Sequence, residues 1–369
     1  MSACCLTKCE YMTVFITGGA GFIGCNFILK WFEETNEPLV NLDKLSNPNN
    51  KYNLEFIPEG QNHQFVQGDI LDAQLVSQLI KRNNPRAIIN FAAESHVDKS
   101  IEGPLGFVEN NVVGTVRLLE VVRSYWDALP ENEKKLFRFV HISTDEVYGA
   151  LEPSDPSFTE LNRYSPSSPY SASKASSDHF VRAYNHTYGV PTLITNCSNN
   201  YGPLQYPEKL IPLVIMNALN NNELPIYGDG KQIRDWLYVT DHCTAIRCVL
   251  DQGAVGQSYN IGACSELSNI ELVHIVCSFL DKKKPRRDKK SYSGLIKHVA
   301  DRPGHDRRYA VDYTKLEDTL TWKPSEELNS GIEKTVDWYL HHQEWIQNVT
   351  GVNNDVGRAK THDDITFRR

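Results

Sequence analysis

Two acidic residues follow a hydrophobic run near the middle of the chain. Asp145 and Glu146 come shortly after the apolar run that ends at Ile142. Two carboxyl groups in unlike surroundings can hold different pKa values, so that one acts as an acid and the other as a base. An isolated Asp-Glu pair is more often a solvated turn. This pair precedes a helix that carries reactive side chains of its own, and we therefore expect it to be catalytic.

The reactive pair on that helix is Tyr170 and Lys174. Residues four apart on a helix share a face, and an ammonium group beside a phenol lowers the phenol pKa from about 10. Tyr170 also follows Pro169 at the expected first turn, where the helix dipole favours a negative charge. Such a tyrosine is a usable base near neutral pH. Ser143 and Thr144, at the end of the preceding strand, are expected to hydrogen-bond an oxygen of the substrate.

Glycines lie at the start of the first helix of the chain. Gly18, Gly21 and Gly24 form a Gly-x-x-Gly-x-x-Gly run between an apolar run and an amphipathic stretch at residues 22–34. Such glycines let the backbone approach a pyrophosphate, which the N–H groups at the helix start then bind. Asp43 lies about 20 residues further on. A carboxylate at that position accepts hydrogen bonds from the hydroxyl groups of the adenosine ribose and repels a 2′-phosphate. The sequence therefore predicts a dinucleotide site that prefers NAD over NADP.

Apolar strands and amphipathic helices alternate through the first part of the chain. This alternation predicts an α/β fold with a Rossmann-type, doubly wound parallel sheet. Ligands bind such sheets outside the carboxyl ends of the strands, where the glycines and the acid pair are expected. The predicted strands are residues 13–17, 38–42, 64–67, 87–91, 137–142 and 192–195, and the predicted helices are residues 22–34, 72–82, 105–126 and 169–188.

The strand and helix pattern loosens after about residue 200. We expect residues 12–200 to be mainly the dinucleotide-binding domain. Residues 201–345 should be mainly a smaller C-terminal substrate-binding domain that covers the carboxyl edge of the sheet, with some chain crossing back to the sheet. Residues 1–11 are expected to be an N-terminal extension, and residues 346–369 a polar, poorly ordered tail.

Composition argues against several classes of function. The formal net charge is -8, which counts against nucleic acid as a partner, because phosphate binding needs a basic surface. We expect no membrane association, since no apolar run is long enough to cross a bilayer. The 9 cysteines are scattered, which predicts reduced thiols in a cytoplasmic protein. We expect no metal site, because the His and Cys spacing fits none.

With these motifs assembled, the chain resembles the extended short-chain dehydrogenase/reductase family and, within it, the dTDP-glucose 4,6-dehydratase family. The resemblance runs from about residue 13 to about residue 339. Glycine motifs and Tyr-x-x-x-Lys are shared across the superfamily, whereas the Thr-Asp-Glu triplet is narrower, since related epimerases generally lack the acid pair. The matching segments are residues 17–24, 41–45, 91–98, 143–149, 170–174, 195–203, 207–212, 232–236 and 301–306.

The resemblance implies a reaction in three stages. Tyr170, assisted by Lys174, takes the proton from the glucose 4-hydroxyl while NAD+ receives the C4 hydride, and Thr144 steadies the 4-keto group. Glu146 then removes the C5 proton, and Asp145 protonates the departing 6-hydroxyl. Finally the hydride returns to C6. The expected product of dTDP-glucose is dTDP-4-keto-6-deoxy-glucose, with NAD regenerated.

Motifs and resemblance together assign the binding residues. Arg234 and Arg302 suit phosphate oxygens, because a guanidinium is a planar fork of donors. The residues expected to bind NAD are Gly18, Gly21, Phe22, Ile23, Gly24, Asp43, Lys44, Asp69, Ile70, Phe91, Ala92, Ala93, Ser95, Asn110, Ser143, Tyr170, Lys174 and Asn200. The residues expected to bind the nucleotide sugar are Ser95, Thr144, Asp145, Asn199, Lys209, Leu210, Pro225, Tyr227, Arg234, Asn269, Arg302 and His305.

The resemblance also implies a homodimer. In related enzymes the helix that carries the catalytic tyrosine and the helix near residues 105–124 pair with their copies in a four-helix bundle. Here these helices carry more apolar positions than one sheet face needs. The positions are Phe107, Val108, Val112, Val113 and Leu118 on the first helix, and Phe180, Val181 and Tyr184 on the second.

Three other functions remain open. A UDP-glucose 4,6-dehydratase would carry the same motifs, because the choice between the two bases depends on contacts to one methyl group, worth about 1 kcal/mol. A nucleotide-sugar 4-epimerase is disfavoured by the acid pair. A non-catalytic dinucleotide-sensing protein is a distant alternative, and it would be expected to have lost Tyr170 or Lys174.

Overall fold

The computed structural model of the chain describes residues 13–58, 60–301 and 303–351. The N-terminal extension predicted at residues 1–11 lies outside these ranges. So do Arg302 and the part of the predicted tail beyond residue 351.

Strands and helices alternate along the described chain, as the sequence predicts. A π-helical turn, Val108–Val113, joins two of the helices, and 3-10 helices form at Pro48–Phe56, Asp145–Tyr148 and Tyr292–Leu295. The strands are β1 (Val14–Thr17), β2 (Leu39–Asp43), β3 (His63–Gln67), β4 (Ala87–Asn90), β5 (Arg138–Thr144), β6 (Thr192–Cys197), β7 (Asn199–Tyr201), β8 (Leu224–Tyr227), β9 (Ile233–Tyr238), β10 (Ser258–Ile261), β11 (Glu266–Ser268), β12 (Ile296–Val299) and β13 (Arg308–Tyr309). The α-helices are α1 (Phe22–Glu34), α2 (Ala73–Asn83), α3 (Val97–Glu102), α4 (Pro104–Phe107), α5 (Gly114–Asp127), α6 (Glu131–Leu136), α7 (Pro169–Tyr188), α8 (Leu210–Leu219), α9 (Val239–Gln252), α10 (Asn269–Lys283), α11 (Thr314–Leu320), α12 (Leu328–His341) and α13 (Gln343–Thr350).

Seven of these strands form one parallel sheet, which confirms the predicted Rossmann-type fold. Their order is β10-β6-β5-β4-β1-β2-β3, and every neighbouring pair is parallel. The chain order reverses between β1 and β4, which is the position where doubly wound sheets bind ligands. All residues of β1, β4 and β6 are buried, because helices cover both faces of the sheet.

The two faces of the sheet have separate apolar cores. On one face α1 packs against α9, with Phe27, Trp31 and Ile246 in the core. On the other face α2, α5 and α7 pack together, with Leu118 and Val181 in the core. Burial of these side chains is what holds the helices on the sheet.

The later part of the chain builds smaller sheets around β9 and pairs β8 with β12. Its core is formed mainly by α8, α10 and α12, with Ile215, Val276 and Ile332 fully buried. β10 also comes from this part of the chain, and it forms one edge of the seven-stranded sheet.

Ordered structure extends past the boundary predicted at residue 345. Helix α13 buries Trp345, Ile346 and Val349, which are 5%, 5% and 1% exposed. These apolar residues share one face of a short helix whose other positions are polar. Average polarity therefore gave the wrong expectation for residues 346–350.

The absence of a side chain at Gly24 lets α1 start close to the glycine turn. A Cβ atom there would lie 2.4 Å from the Gly18 carbonyl oxygen and 2.8 Å from the Cα of Gly19. We expect Gly24→Ala to lower the free energy of unfolding by about 2 kcal/mol, because the backbone must shift.

Gly294→Ala is the matched control, since a Cβ atom at Gly294 would have no described atom within 4 Å. It should change the free energy of unfolding by less than about 0.5 kcal/mol. Urea unfolding measures both variants. Equal effects would contradict the role assigned to Gly24.

Candidate active site

A cavity of about 800 Å³ extends along the carboxyl ends of the central strands. Residues that follow β1, β2, β3, β4, β5 and β6 line it. A volume of this size is at the upper end of roughly 300–1,000 Å³, the usual range for small-molecule sites.

The cavity brings most of the predicted site residues together. Every residue predicted to bind NAD lines it, and so do all five predicted catalytic residues. Of the residues predicted for the nucleotide sugar, those in the lining are Ser95, Thr144, Asp145, Asn199, Lys209 and Arg234. Leu210, Pro225, Tyr227, Asn269 and His305 are not in the described lining.

Three of those remaining residues belong to a second cluster around Asp301. His305 Nδ1 lies 2.6 Å from Asp301 Oδ1, and the rings of His305 and Tyr227 are 6.2 Å apart. Gln232 donates a hydrogen bond of 3.0 Å to Asp301 and accepts one of 3.0 Å from the Asn269 N–H. Separate strands and loops thus converge on one polar surface.

Arg234 connects this second cluster to the cavity. Arg234 lines the cavity. Its guanidinium donates a hydrogen bond of 3.0 Å to the carbonyl oxygen of Asp306. The same group stacks on the Tyr309 ring, 4.5 Å from the ring centroid. Tyr309 was not predicted, because nothing in the local sequence marks it as a residue of the site. It also lines the cavity and hydrogen-bonds the Asp306 carboxylate.

The glycine turn has the geometry that a dinucleotide requires. Gly18 has φ +74°, and a Cβ atom there would lie 2.6 Å from the Ala92 nitrogen, so only glycine fits. Gly21 begins α1 without a side-chain cap, which leaves the N–H groups of the first turn to bind phosphate.

Asp43 is held rigidly at the end of β2. Its Oδ2 accepts from the Ala20 N–H at 3.0 Å and its Oδ1 from the Leu45 N–H at 2.8 Å. Each carboxylate oxygen can accept a second hydrogen bond, so both oxygens can still bind the hydroxyl groups of a ribose. Lys44 donates to Asn110 at 2.7 Å across the same groove. These residues fit NAD.

Asp145 and Glu146 begin the 3-10 turn directly after β5. Asp145 is 2% exposed; its Oδ1 accepts from the Thr144 hydroxyl at 3.3 Å, and its Oδ2 has no hydrogen-bond partner among the described residues. Burial, followed by the nearby charges of Glu146 and Asp235, raises the pKa of Asp145 well above its usual value. This shift favours the protonated form of Asp145, which is the form that can donate a proton.

Tyr170 lies in the first turn of α7, as predicted. Ser168 caps the helix in a reciprocal pair with Ser171. Burial, then the Glu146 carboxylate, raises the pKa of the Tyr170 phenol well above its usual value, while a hydrogen bond with Thr144 opposes the shift. The expected lowering of this pKa by the neighbouring lysine is therefore wrong for this arrangement, because loss of hydration outweighs it.

Lys174 is hydrogen-bonded to strand β5. Its ammonium group donates to the Ile142 carbonyl oxygen at 2.8 Å and lies 3.3 Å from His141 Nε2. Burial lowers the pKa of Lys174, and the negative charge of Asp178 opposes that shift. The ammonium is thus held against β5, with a buried carboxylate nearby.

Asp178 is a residue of the site that sequence reasoning missed. It is fully buried, and its Oδ2 accepts from the Ser143 hydroxyl at 2.9 Å, from Tyr164 at 2.9 Å and from the Asn196 amide at 3.2 Å. Its spacing of four from Lys174 was a usable signal, because such residues share a helix face.

The described residues also bear on the expectations for a membrane helix, a metal site and disulfides. Among the described residues no helix is long and apolar enough to cross a membrane, and no group of three or more His, Cys, Asp or Glu could hold a metal ion. The described cysteines are free thiols: Cys25, Cys197, Cys243, Cys248, Cys264 and Cys277.

Comparison with known proteins agrees with this geometry. A family model described as GDP-mannose 4,6 dehydratase matches residues 15–335. The dTDP-glucose 4,6-dehydratase of Xanthomonas campestris pv. campestris (strain B100) is 56% identical over 337 residues, which cover 91% of this chain and 95% of that protein. The chain belongs to the dTDP-glucose 4,6-dehydratase family. Its resemblance to this branch of the extended short-chain dehydrogenase/reductases is thereby confirmed.

Two solved structures of this family are also similar to the chain. One is the dTDP-glucose 4,6-dehydratase of Bacillus anthracis str. Ames in complex with NAD, with a TM-score of 0.81 and 42% identity over 92% of this chain and 99% of that one. The other is the Streptomyces venezuelae enzyme with NAD and a second ligand bound, with a TM-score of 0.81 and 40% identity over 92% of this chain and 100% of that one.

The raised pKa of Asp145 predicts a pH-dependent effect on stability. Above the unfolded pKa of about 3.9, ionisation favours the unfolded chain, because the folded state keeps the proton until its own higher pKa is passed. Stability is therefore lost as the pH rises between these two values. Asp145→Asn removes this loss. Its stability relative to the wild type should grow with pH, by at most about 1.4 kcal/mol per pH unit.

Urea unfolding of both proteins at about pH 5, 6.5 and 8 measures this difference. A difference that stays constant across the three pH values would contradict a buried, neutral Asp145.

Proposed function

We propose that this enzyme converts dTDP-glucose into dTDP-4-keto-6-deoxy-glucose, with NAD as a bound catalyst. The observation that carries the proposal is the buried Asp145, with its raised pKa, beside Glu146 and Tyr170 in a cavity whose other half fits a dinucleotide. The relatives named above support the choice of substrate, because proteins at up to 56% identity carry this activity in their names.

The dinucleotide half of the cavity selects NAD. The glycine turn binds the pyrophosphate, and the Asp43 carboxylate accepts the ribose hydroxyls and repels a 2′-phosphate. NAD+ supplies the hydride acceptor for C4 and brings a positive charge into the site. A cation in a buried site favours a phenolate, which counteracts the raised pKa of Tyr170.

Tyr170 is the base for the first step. It takes the proton of the 4-hydroxyl as the C4 hydride leaves, and the Thr144 hydroxyl hydrogen-bonds the new ketone oxygen. Lys174 adds positive charge on the same helix face, and Asp178 keeps that charge favourable in a buried site.

The acid pair performs the elimination. The 4-ketone acidifies the C5 proton, which the Glu146 carboxylate removes. The C6–O bond breaks as Asp145 donates its proton, and water leaves. The hydride then adds to C6 and Glu146 returns its proton to C5. The proton that Tyr170 took from the 4-hydroxyl passes through solvent to Asp145, so that Tyr170 and both carboxyl groups return to their starting states. Unlike surroundings separate the two roles.

The substrate diphosphate and base are proposed to lie at the end of the cavity marked by Arg234. Arg234 lines the cavity, and Lys209 also lines it, where its ammonium donates to the Ser95 carbonyl oxygen at 3.4 Å. Asn199 lines the same region. The cluster around Asp301, with Tyr227, Asn269 and His305, is the proposed site for the nucleotide beyond Arg234. We also assign Leu210, Pro225 and Arg302 to nucleotide-sugar binding, because they lie in or near segments that match the family.

A cytoplasmic location is part of the proposal. Cys197 lines the catalytic cavity, with its thiol 3.4 Å from the Ser143 carbonyl oxygen. Burial raises the pKa of this thiol to about 12, so it stays protonated. A reducing compartment would keep it in that form.

Variants of the acid pair should separate the first step from the elimination. Glu146→Gln and Asp145→Asn should bind NAD and still oxidise C4, which the absorbance of bound NADH reports. Dehydration of dTDP-glucose should fall by roughly 10²- to 10⁴-fold, the usual effect of a lost general acid or base. Tyr170→Phe should give no NADH signal.

UDP-glucose is the comparison substrate for this experiment, and formation of a 4-keto product is the second readout. Faster turnover of UDP-glucose by the wild-type enzyme would replace the proposed substrate. Dehydration by Glu146→Gln at the wild-type rate would remove the acid pair from the mechanism.

We also propose a homodimer through the outer faces of α7 and of the π-helical turn that precedes α5. Val108, Val113 and Phe180 are 46%, 40% and 42% exposed. Leu105, in α4, is 81% exposed. Apolar side chains grouped on one surface are typical of protein interfaces. Four of the apolar positions expected for this interface instead pack within the chain: Phe107, Leu118, Val181 and Tyr184.

The double substitution Val113→Glu and Phe180→Glu should convert the dimer to a monomer, because it places charges in the proposed apolar interface. Sedimentation at micromolar concentration measures the change. Val255→Glu, at a position 41% exposed in the turn after α9, is the control and should leave the dimer intact. A wild-type monomer would overturn the proposal.

A further inference from the structure

Helix α13 packs against the 3-10 helix Pro48–Phe56. The side-chain amide of Asn49 donates to the Val349 carbonyl oxygen at 2.9 Å, and the Tyr206 hydroxyl donates to the same oxygen at 3.1 Å. Residues 46–48, 50 and 53 line the dinucleotide half of the cavity. The end of the described chain therefore holds a segment that forms one wall of the site.

A buried chain of hydrogen bonds extends from α13 to the glycine turn. The indole N–H of Trp345 donates to Asn53 Oδ1 at 2.9 Å, and Asn53 Nδ2 donates to the Ala20 carbonyl oxygen at 2.9 Å. Ala20 lies between Gly19 and Gly21 in the turn, and its N–H donates to the Asp43 carboxylate at 3.0 Å.

The direction of this chain is fixed by chemistry. An indole N–H can only donate and a peptide carbonyl can only accept, so the amide of Asn53 must face Trp345 with its oxygen and Ala20 with its nitrogen. Trp345 and Asn53 are 5% and 3% exposed. Water therefore cannot easily replace either partner, and loss of one leaves a buried polar group unsatisfied.

We propose that Trp345 and Asn53 are positioning residues for the dinucleotide, which hold the glycine turn and Asp43 in the geometry that retains NAD during turnover. The inference rests on the proposed NAD-dependent reaction. That reaction stores the substrate hydride on the cofactor between the first and last steps. Release of the reduced cofactor between these steps would stop the cycle, so tight retention is a functional requirement.

The test compares NAD+ binding by calorimetry and NADH release by stopped-flow fluorescence. Trp345→Phe keeps an aromatic ring but removes the N–H donor. It should weaken NAD+ binding and speed NADH release by roughly tenfold, the effect of one lost buried hydrogen bond. Asn53→Ala should have a similar effect. Asn49→Ala is a milder change at a half-buried position, and it should weaken binding roughly threefold.

Trp322→Phe is the matched control. The Trp322 indole is 8% exposed and donates to the Thr244 hydroxyl at 3.0 Å, a bond of the same kind that is separate from the glycine turn. It should leave NAD+ binding unchanged. If Trp345→Phe fails to fold, the binding results for Asn49→Ala and Asn53→Ala decide the question.

The inference is overturned if the folded variants bind and release the cofactor as the wild type does, or if Trp322→Phe weakens binding equally. Failure of the wild-type enzyme to bind NAD+ at all would instead overturn the proposed function, and the inference with it.

Discussion

Loss of hydration at the carboxyl edge of the sheet controls the chemistry of this enzyme. Burial favours the neutral form of every ionisable group, and it acts on Asp145, Tyr170 and Lys174 together. For Asp145 this effect is what its proposed role needs, because an acid must carry a proton before it can donate one. For Tyr170 it opposes the reaction, and the site must supply positive charge to offset it. The same burial thus suits the proposed acid and leaves the proposed base dependent on its neighbours.

The fold supplies those neighbours from separate elements. Thr144 ends β5, and the acid pair follows it directly. Helix α7 carries Tyr170 and Lys174 on the same side of the sheet. Asp178, which follows on the same helix, joins α7 to β5 and β6 through bonds to Ser143 and Asn196. The proposed catalytic groups are therefore held by buried bonds between regular elements rather than by a mobile loop. Such support preserves geometry to the accuracy that proton transfer requires.

Sequence patterns predicted the parts of this structure that depend on local rules. The helices predicted at residues 22–34 and 169–188 have the bounds that the structure shows, and the glycine run and the acid pair both line the cavity. Groups whose role arises from packing could not be found this way. His141 lies inside an apolar strand, and Tyr309 reaches the cavity only through the pairing of β13 with β9. The raised pKa of Tyr170 likewise depends on burial, which spacing alone does not reveal.

In the proposed reaction, one hydride leaves C4 and returns to C6 of the same sugar without leaving the enzyme. dTDP-glucose labelled with deuterium at C4 tests it most directly, with the product examined by NMR and mass spectrometry. The proposed reaction predicts deuterium at C6 of the 4-keto-6-deoxy product and none in NADH free in solution. Deuterium that remains at C4 would indicate an epimerase, and deuterium released into free NADH would indicate a simple dehydrogenase. Either result would contradict the proposed reaction.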